Sequence, residues 1–411
     1  MSGAPPGPRG AAAARLVLPF AGAYFLSYLF RTVNAVVGPV LLRELSLSAA
    51  AMGLLTGAYF LAFAAAQLPL GVLLDRFGPR RVESALLLAA AAGAVAFSAG
   101  HGLAALAAGR ALIGFGVSAC LMAAFKAFSA WFPAERQAAL TGWIMTAGGL
   151  GALASSAPLE AALRFTGWRT VFLVLAAATL AASAAVRFGV PEAARSRPPE
   201  PAREQWRGLA RVFRSAHFWR VAPTGLVSTG GFMAVQGLWS ASWLRHVSGH
   251  PPRVVAGHLA AMGLAMLLAY VALGLAATPL ARRGVRTAHL IGAGIPVAVA
   301  VLAAIVLEAV PHTRLLWVLY GAASSTGTLV YAEAARGFPA ELSGRANTAL
   351  NLLVFVGAFA IQWGMGGAID ALAARGLSQA AAHRATFGAL AAAQAAAWLW
   401  FLAAGRRAAP R

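Results

Sequence analysis

The sequence predicts an all-α membrane protein with twelve transmembrane helices arranged as two pseudo-symmetric six-helix bundles. Three observations predict it. Sixty per cent of the 411 residues are hydrophobic and only 11% are charged, too little polar surface for a soluble chain of this size. Apolar runs recur along the whole chain, each long enough to cross a hydrocarbon core of about 30 Å at about 1.5 Å per residue. The third observation is a repeat. The tetrapeptide FPAE stands at Phe132–Glu135 and again at Phe338–Glu341, 206 residues later, and GVLLDRFGPRR (71–81) is echoed by GLAATPLARRG (274–284). A duplicated six-helix unit is a transporter architecture, with its site near the midplane where the repeats meet.

The spans fall at 16–42, 49–74, 82–100, 103–131, 138–163, 169–188, 217–245, 254–278, 288–309, 314–336, 346–371 and 383–405. Residues 1–15 read as a disordered cytoplasmic tail rich in Pro, Gly and Ala, 16–190 as the first bundle, 191–216 as a polar linker, 217–405 as the second bundle and 406–411 as a short tail. The first apolar run is too long for a signal peptide.

Charge sets orientation. The net charge is +21, yet the arginines form no basic face for nucleic acid; they cluster in alternate gaps, such as Arg76/Arg80/Arg81, Arg282/Arg283/Arg286 and Arg336/Arg345. The opposite gaps hold His101 and His250. By the positive-inside rule both termini and the linker are cytoplasmic. Heavy use of Ala and Arg, with one lysine in the chain, fits a GC-rich bacterial genome and hence a multi-pass protein of the bacterial inner membrane. The single cysteine, Cys120, excludes an internal disulfide framework.

GVLLDRFGPRRV resembles the signature loop of the major facilitator superfamily between helices two and three, with Gly71, Asp75, Arg76, Gly78, Arg80 and Arg81 in its motif positions. RALIGFG matches the fourth-helix pattern through Arg110, Gly114 and Gly116, expected to serve packing or a gate, and GWRTVF opens helix six as in that family. The resemblance covers the chain and implies a secondary transporter working by alternating access. It also implies a cytoplasmic latch: Asp75 at a helix N-terminus of the other half, with Arg76 and Arg80 facing acids below helices four and ten, where Glu135, Arg136, Glu333 and Arg336 stand.

Three cations fall inside helices, Arg31, Arg110 and Lys126, and no Asp or Glu lies near the middle of a span. A cation in hydrocarbon costs on the order of 2.5–3.5 kcal/mol and faces a cavity as a rule. The implied cavity is electropositive and its substrate a small anion. On helix one Tyr24, Ser27, Tyr28, Arg31 and Asn34 share one face. SYLFRTVNAVVGPVL is similar to the first helix of organophosphate:phosphate antiporters, where this arginine binds phosphate beside a second arginine in helix seven; that position is Met233 here. Lys126 is then the candidate second cation, and its ammonium, unlike guanidinium, can lose its proton when desolvated. The alternative is that it snorkels to the interface.

Further candidate contacts are Tyr59, Gln236, Trp239, Tyr331 and Asn351, with Lys126 and His258 as candidate proton carriers. There is no phosphate-binding loop, no metal-spaced His/Cys set and no nucleophile with a base, so no enzyme, metal or cofactor is expected. The expected partners are the anionic solute, the bilayer, and a proton or counter-anion, around a monomer. Two alternatives stay open: an exporter of drugs or neutral metabolites, and a solute sensor that binds without transporting.

Overall fold

The computed structural model describes residues 10–192, 202–308 and 313–407, and among them its regular structure is helical, with no strand. Helix one runs Ala11–Thr32 and resumes as Asn34–Glu44; helices two and three are Ala49–Phe77 and Pro79–Ala99; helix four spans Leu103–Trp131. Helix five is Ala134–Ala154 continued by Ala157–Ala162, and helix six is Trp168–Gly189. In the second bundle helix seven is segmented between Ala216 and His246, followed by Pro252–Arg282, Thr287–Val306, Thr313–Arg336, Ala340–Ala374 and Gln379–Arg407 as helices eight to twelve. Ten of the twelve are long and apolar enough to cross a membrane. Helices five and seven are the two outside that set among the described residues. Leu275, Trp143 and Val174 are 75%, 67% and 62% exposed, an apolar exterior suited to lipid rather than water.

Helix one starts at Ala11, inside the stretch expected to be disordered. The linker also departs from the expectation of a polar connection. It contains the helix Ala202–Phe213, whose Val212 is fully buried in a cluster with Phe218, Ala346 and Leu350 of the second bundle. Its alternating Arg and apolar residues give one face to the protein and one to solvent.

The sequence repeat is a geometric repeat. Pro133 and Pro339, in the two FPAE copies, each cap a helix with ψ of 159°. Gly78 and Gly284, also 206 residues apart, each turn the chain with φ of +80°, which only glycine adopts without strain. Pro79 then occupies the first position of helix three, where its missing N–H is no loss. In this register Ala281, rather than Thr278, is the counterpart of Asp75.

The described ends of the chain, Gly10 and Arg407, and the linker helix Ala202–Phe213 lie at one end of the bundle, the linker end; the other is the far end. The halves meet along helices two and eleven. At the far end the Asp370 carboxylate accepts from the Ala49 and Ala50 amides at 3.0 and 2.8 Å, capping helix two. One turn in, a Cβ on Gly53 would lie 2.6 Å from the Gln362 carbonyl oxygen, and Gly57 sits against Phe359. Phe63 then stacks on Phe355 at 3.9 Å between centroids, and Asn351 donates to Gln67 at 3.0 Å. Helices five and eight make a second contact, where Gly149 meets Leu267.

Candidate substrate-binding cavity

A cavity of about 360 Å³ opens between the halves, from the middle of the bundle toward the linker end. Helix one brings Tyr24, Ser27, Tyr28 and Arg31 to it, the polar stripe set by helical spacing. Helix five makes room for this stripe: Gly148 lies under the rings of Tyr24 and Tyr28, and Gly151 packs on the Phe25 carbonyl. Arg31 sits at the closed head of the cavity, 5% exposed. Its guanidinium lies 4.3 Å from the Tyr28 ring centre, 5.2 Å from Phe355 and 5.8 Å from Phe63. Cation–π contact offsets part of the desolvation of this charge, about 0.5–2 kcal/mol per ring. No carboxylate pairs with Arg31 among the described residues, and its Nε has no hydrogen-bond partner.

The facing wall comes from the second bundle. Tyr331 donates to Asn351 at 2.8 Å, and Asn351 in turn donates to Gln67 across the interface. Gln236 of helix seven reaches Met266 Sδ at 3.4 Å. Asn347, on the linker side of Asn351, keeps a buried Oδ1 without a partner. Met122, Met145 and Met233 add soft apolar surface.

Of the nine contacts expected from sequence, Tyr28, Arg31, Gln236, Tyr331 and Asn351 line this cavity. The others are placed elsewhere. Asn34 donates to Thr56 Oγ1 at 3.0 Å and Tyr59 donates to the Ser27 carbonyl at 3.1 Å, both fully buried. Trp239 donates to the Gln362 carbonyl at 3.1 Å and lines a second cavity. Lys126 forms an ion pair with Asp75, 37% and 39% exposed, at the linker end of helices four and two. The structure therefore joins the lysine to the signature-loop acid of its own half and not to Arg31. Helical spacing gave its depth, but its azimuth is set by this acid.

The latch residues are also distributed differently from the expectation. Arg80 donates to the Val190 carbonyl at 3.2 Å, and Arg76 lies 5.2 Å from the Phe77 ring centre. Arg81 pairs with Glu192 at 2.6 Å. Glu333 is approached by Arg336 at 3.6 Å and Arg220 at 3.9 Å, within its own bundle. Arg136 lies in the first turn of helix five; the side chain of Glu135 lies outside the described residues. A Cβ on Gly71 would meet nothing within 4 Å. Arg110, fully buried, donates to the Phe30 carbonyl at 2.7 Å and lies over the Tyr59 ring, while Gly114 and Gly116 press against the backbones of Tyr59 and Ala90. His258, near the far end of helix eight, bonds the Val254 carbonyl at 2.8 Å and lies 5.1 Å from the His250 ring. It does not line the cavity.

Sequence reasoning missed Phe63, Phe355 and Tyr270 in the cavity wall. Tyr270 carried a signal, since the chain has only six tyrosines. It also missed Glu83, fully buried in helix three with the Cys120 thiol beside its carboxyl group.

The sequence model of the Major Facilitator Superfamily matches residues 20–362. Over 157 residues the chain is 27% identical to the "Probable sulfoacetate transporter" of Cupriavidus necator, covering 38% of this chain and 36% of that protein. It is 29% identical over 151 residues to the hexuronate transporter of Escherichia coli K12, covering 36% and 34%. Against the "Probable L-galactonate transporter" of the same organism it is 30% identical over 167 residues, covering 39% and 35%. These alignments span about a third of each relative's length. In fold, a bacterial homologue of the human lysosomal transporter Spinster, solved in an inward-facing and unoccupied conformation, superposes with a TM-score of 0.77 at 17% identity, over 97% of this chain and 98% of that one. With the signature loop, the duplicated bundles and a family model matched over most of its length, the chain belongs to the major facilitator superfamily.

Proposed function

We propose that this protein is a secondary transporter of a small organic anion, a carboxylate or sulfonate of about sugar-acid size, working by alternating access in the bacterial inner membrane as a monomer. The observation that carries the reading is Arg31, a buried cation at the head of the central cavity with no carboxylate partner among the described residues. Such a group is costly until an anion reaches it, and it binds the anion more tightly because water is excluded. Tyr331, Asn351 and Gln236 supply hydroxyl and amide groups opposite, suited to the hydroxyls of an acid sugar or the tail of a short carboxylate. The cavity volume lies in the ordinary range for small-molecule sites. Relatives named for sulfoacetate, hexuronate and galactonate support the same class.

With the linker end cytoplasmic, by the arginine bias, the cavity opening toward that end is an inward-facing state. Transport then requires the helix two–helix eleven contact to part at the far end while the signature loops close at the linker end. A proton or a counter-anion energises the cycle.

The test is a thermal-shift screen of the purified protein against sulfonates, hexuronates, aldonates, phosphate esters and cationic drugs, followed by counterflow in proteoliposomes. A ligand at 100 times its dissociation constant adds about 2.7 kcal/mol. Stabilisation by one class of anions, abolished in Arg31→Ala, together with counterflow of the same compound, is the expected result. Stabilisation by cations or neutral compounds alone refutes it, and binding without counterflow identifies a sensor.

A further inference from the structure

A second cavity, of about 310 Å³, lies at the far end of the same central axis. Its walls come from the ends of helices one and seven and the starts of helices two and twelve, so it too sits between the halves. It is separated from the central cavity by a plug. Gly38 lets Met52 and Leu238 meet there, a Cβ on it standing 2.9 and 3.1 Å from their side chains. The π turn Val235–Trp239 straddles the division: Gln236 faces the central cavity, while Leu238 and Trp239 face the second.

The polar lining of this cavity is Ser242, Arg245, His246, Gln379 and His383, with no carboxylate. His383 is 1% exposed and fully bonded: its Nδ1 lies 2.7 Å from the Gln379 carbonyl and its Nε2 2.8 Å from Ser242 Oγ. A carbonyl only accepts, so Nδ1 carries the hydrogen and, in the neutral ring, Nε2 accepts from the Ser242 hydroxyl. His246 likewise donates from Nδ1 to the Ser242 carbonyl at 2.9 Å and stacks on His383 at 5.1 Å. This scaffold fixes the turn of helix seven that carries Arg245. Arg245 pairs with no carboxylate among the described residues, and it lines a neighbouring cavity together with Arg43 of helix one. The nearby acids are committed elsewhere: Glu160 pairs with Arg164 at 2.6 Å, and Asp370 caps helix two.

We propose that this cavity is a second anion site, a capture site for a small carboxylate or sulfonate. Arg245 is its charge and Gln379 its neutral polar group, while Ser242 stands in its wall with its one hydroxyl hydrogen given to His383. The class of ligand rests on the function proposed above; the existence of the site does not. Arg245 concentrates anions there before the plug opens, and the plug keeps that ligand from Arg31 in the inward-facing state.

The test uses the full chain with Ser242→Cys. Cys120 is the only native cysteine and is fully buried, so the unsubstituted protein supplies the background. Labelling by the anionic sulfonatoethyl methanethiosulfonate is compared with the cationic trimethylammonioethyl reagent, each normalised to its rate with a free thiol. The anionic reagent should react about tenfold faster, the low end of electrostatic focusing in a cleft. That preference should vanish in Ser242→Cys/Arg245→Gln and survive in Ser242→Cys/Arg245→Lys. D-glucuronate should slow labelling, and still do so with Arg31→Ala added. Equal rates for the two reagents, or a preference untouched by Arg245→Gln, overturn the proposal. Protection that disappears with Arg31→Ala also overturns it, because there is then one site. Absence of transport with anion preference intact would count against the transport reading alone.

Discussion

Lys126 of helix four and Asp75 of helix two form an ion pair at the linker end of the first bundle, both side chains more than a third exposed. The chain's one lysine thus meets the acid of its signature loop. An exposed pair of this kind contributes on the order of 0.2–1 kcal/mol.

Lys126→Ala should accordingly lower the melting temperature by no more than a few degrees. Its effect on transport should fall on kcat, with KM unchanged within about threefold, because the pair lies in the moving signature region and outside the cavity. Initial-rate uptake in proteoliposomes checks this. A KM raised tenfold with kcat intact would return Lys126 to the binding site.

Arg31→Met should raise the melting temperature of the ligand-free protein while abolishing anion-induced stabilisation. The sign follows from burial: an uncompensated cation is replaced by an apolar chain of similar length. Differential scanning fluorimetry with and without anion reads both effects. A ligand-free variant less stable than the parent by several degrees would show that Arg31 is structural.

Gly53→Leu should hold the far end open. Its side chain would enter the space of the Gln362 carbonyl and Trp363 backbone, and overpacking at a close backbone contact costs about 1–3 kcal/mol, occasionally more. The expected readout is faster labelling of a cysteine at position 242, by reagents of either charge. Unchanged labelling with unchanged melting would mean that the helices separate here at no cost.

Glu44 offers a pH test outside the membrane. Arg169 donates to it at 2.5 Å and Trp168 at 2.7 Å, and these bonds hold its carboxyl below the usual range. A depressed carboxyl contributes stability above the unfolded value of about 4.3, and that contribution is lost as pH falls through the folded value. Glu44→Gln should therefore melt earlier than the parent at pH 7, by a small margin since the pair is partly exposed. The difference should close below about pH 4. A gap that persists or widens in acid contradicts the assignment.

The fold was legible because lipid imposes a crude rule: long apolar runs, with arginine on alternate sides, count the helices. The FPAE copies were legible for a different reason, since Pro133 and Pro339 each start a helix in the same backbone conformation. The site was most legible on helix one, where Tyr24, Ser27, Tyr28 and Arg31 stand out as polar groups on an apolar rod, and Gln236, Tyr331 and Asn351 stood out for the same reason on helices seven, ten and eleven. Phe63 and Phe355 were invisible. An aromatic residue on such a helix reads the same whether it stacks under a cation, as these do, or turns outward, as Trp143 does at 67% exposure. Lys126 and Tyr59 failed for want of azimuth: position along a helix follows from counting, whereas the direction of a side chain depends on its neighbours in space.

Helix seven carries two π turns, Gly225–Thr229 and Val235–Trp239, one on each side of the segment Gly230–Ala234. Each wide turn holds surplus backbone that an α-helix would not accommodate, and each residue of shift in a helix is about 100° of rotation. The short segment between them is therefore coupled only loosely to the two ends. One end can stay packed on helix twelve while the other follows helix one, and the segment Gly230–Ala234 turns like a swivel between two bearings instead of swinging as a rigid lever.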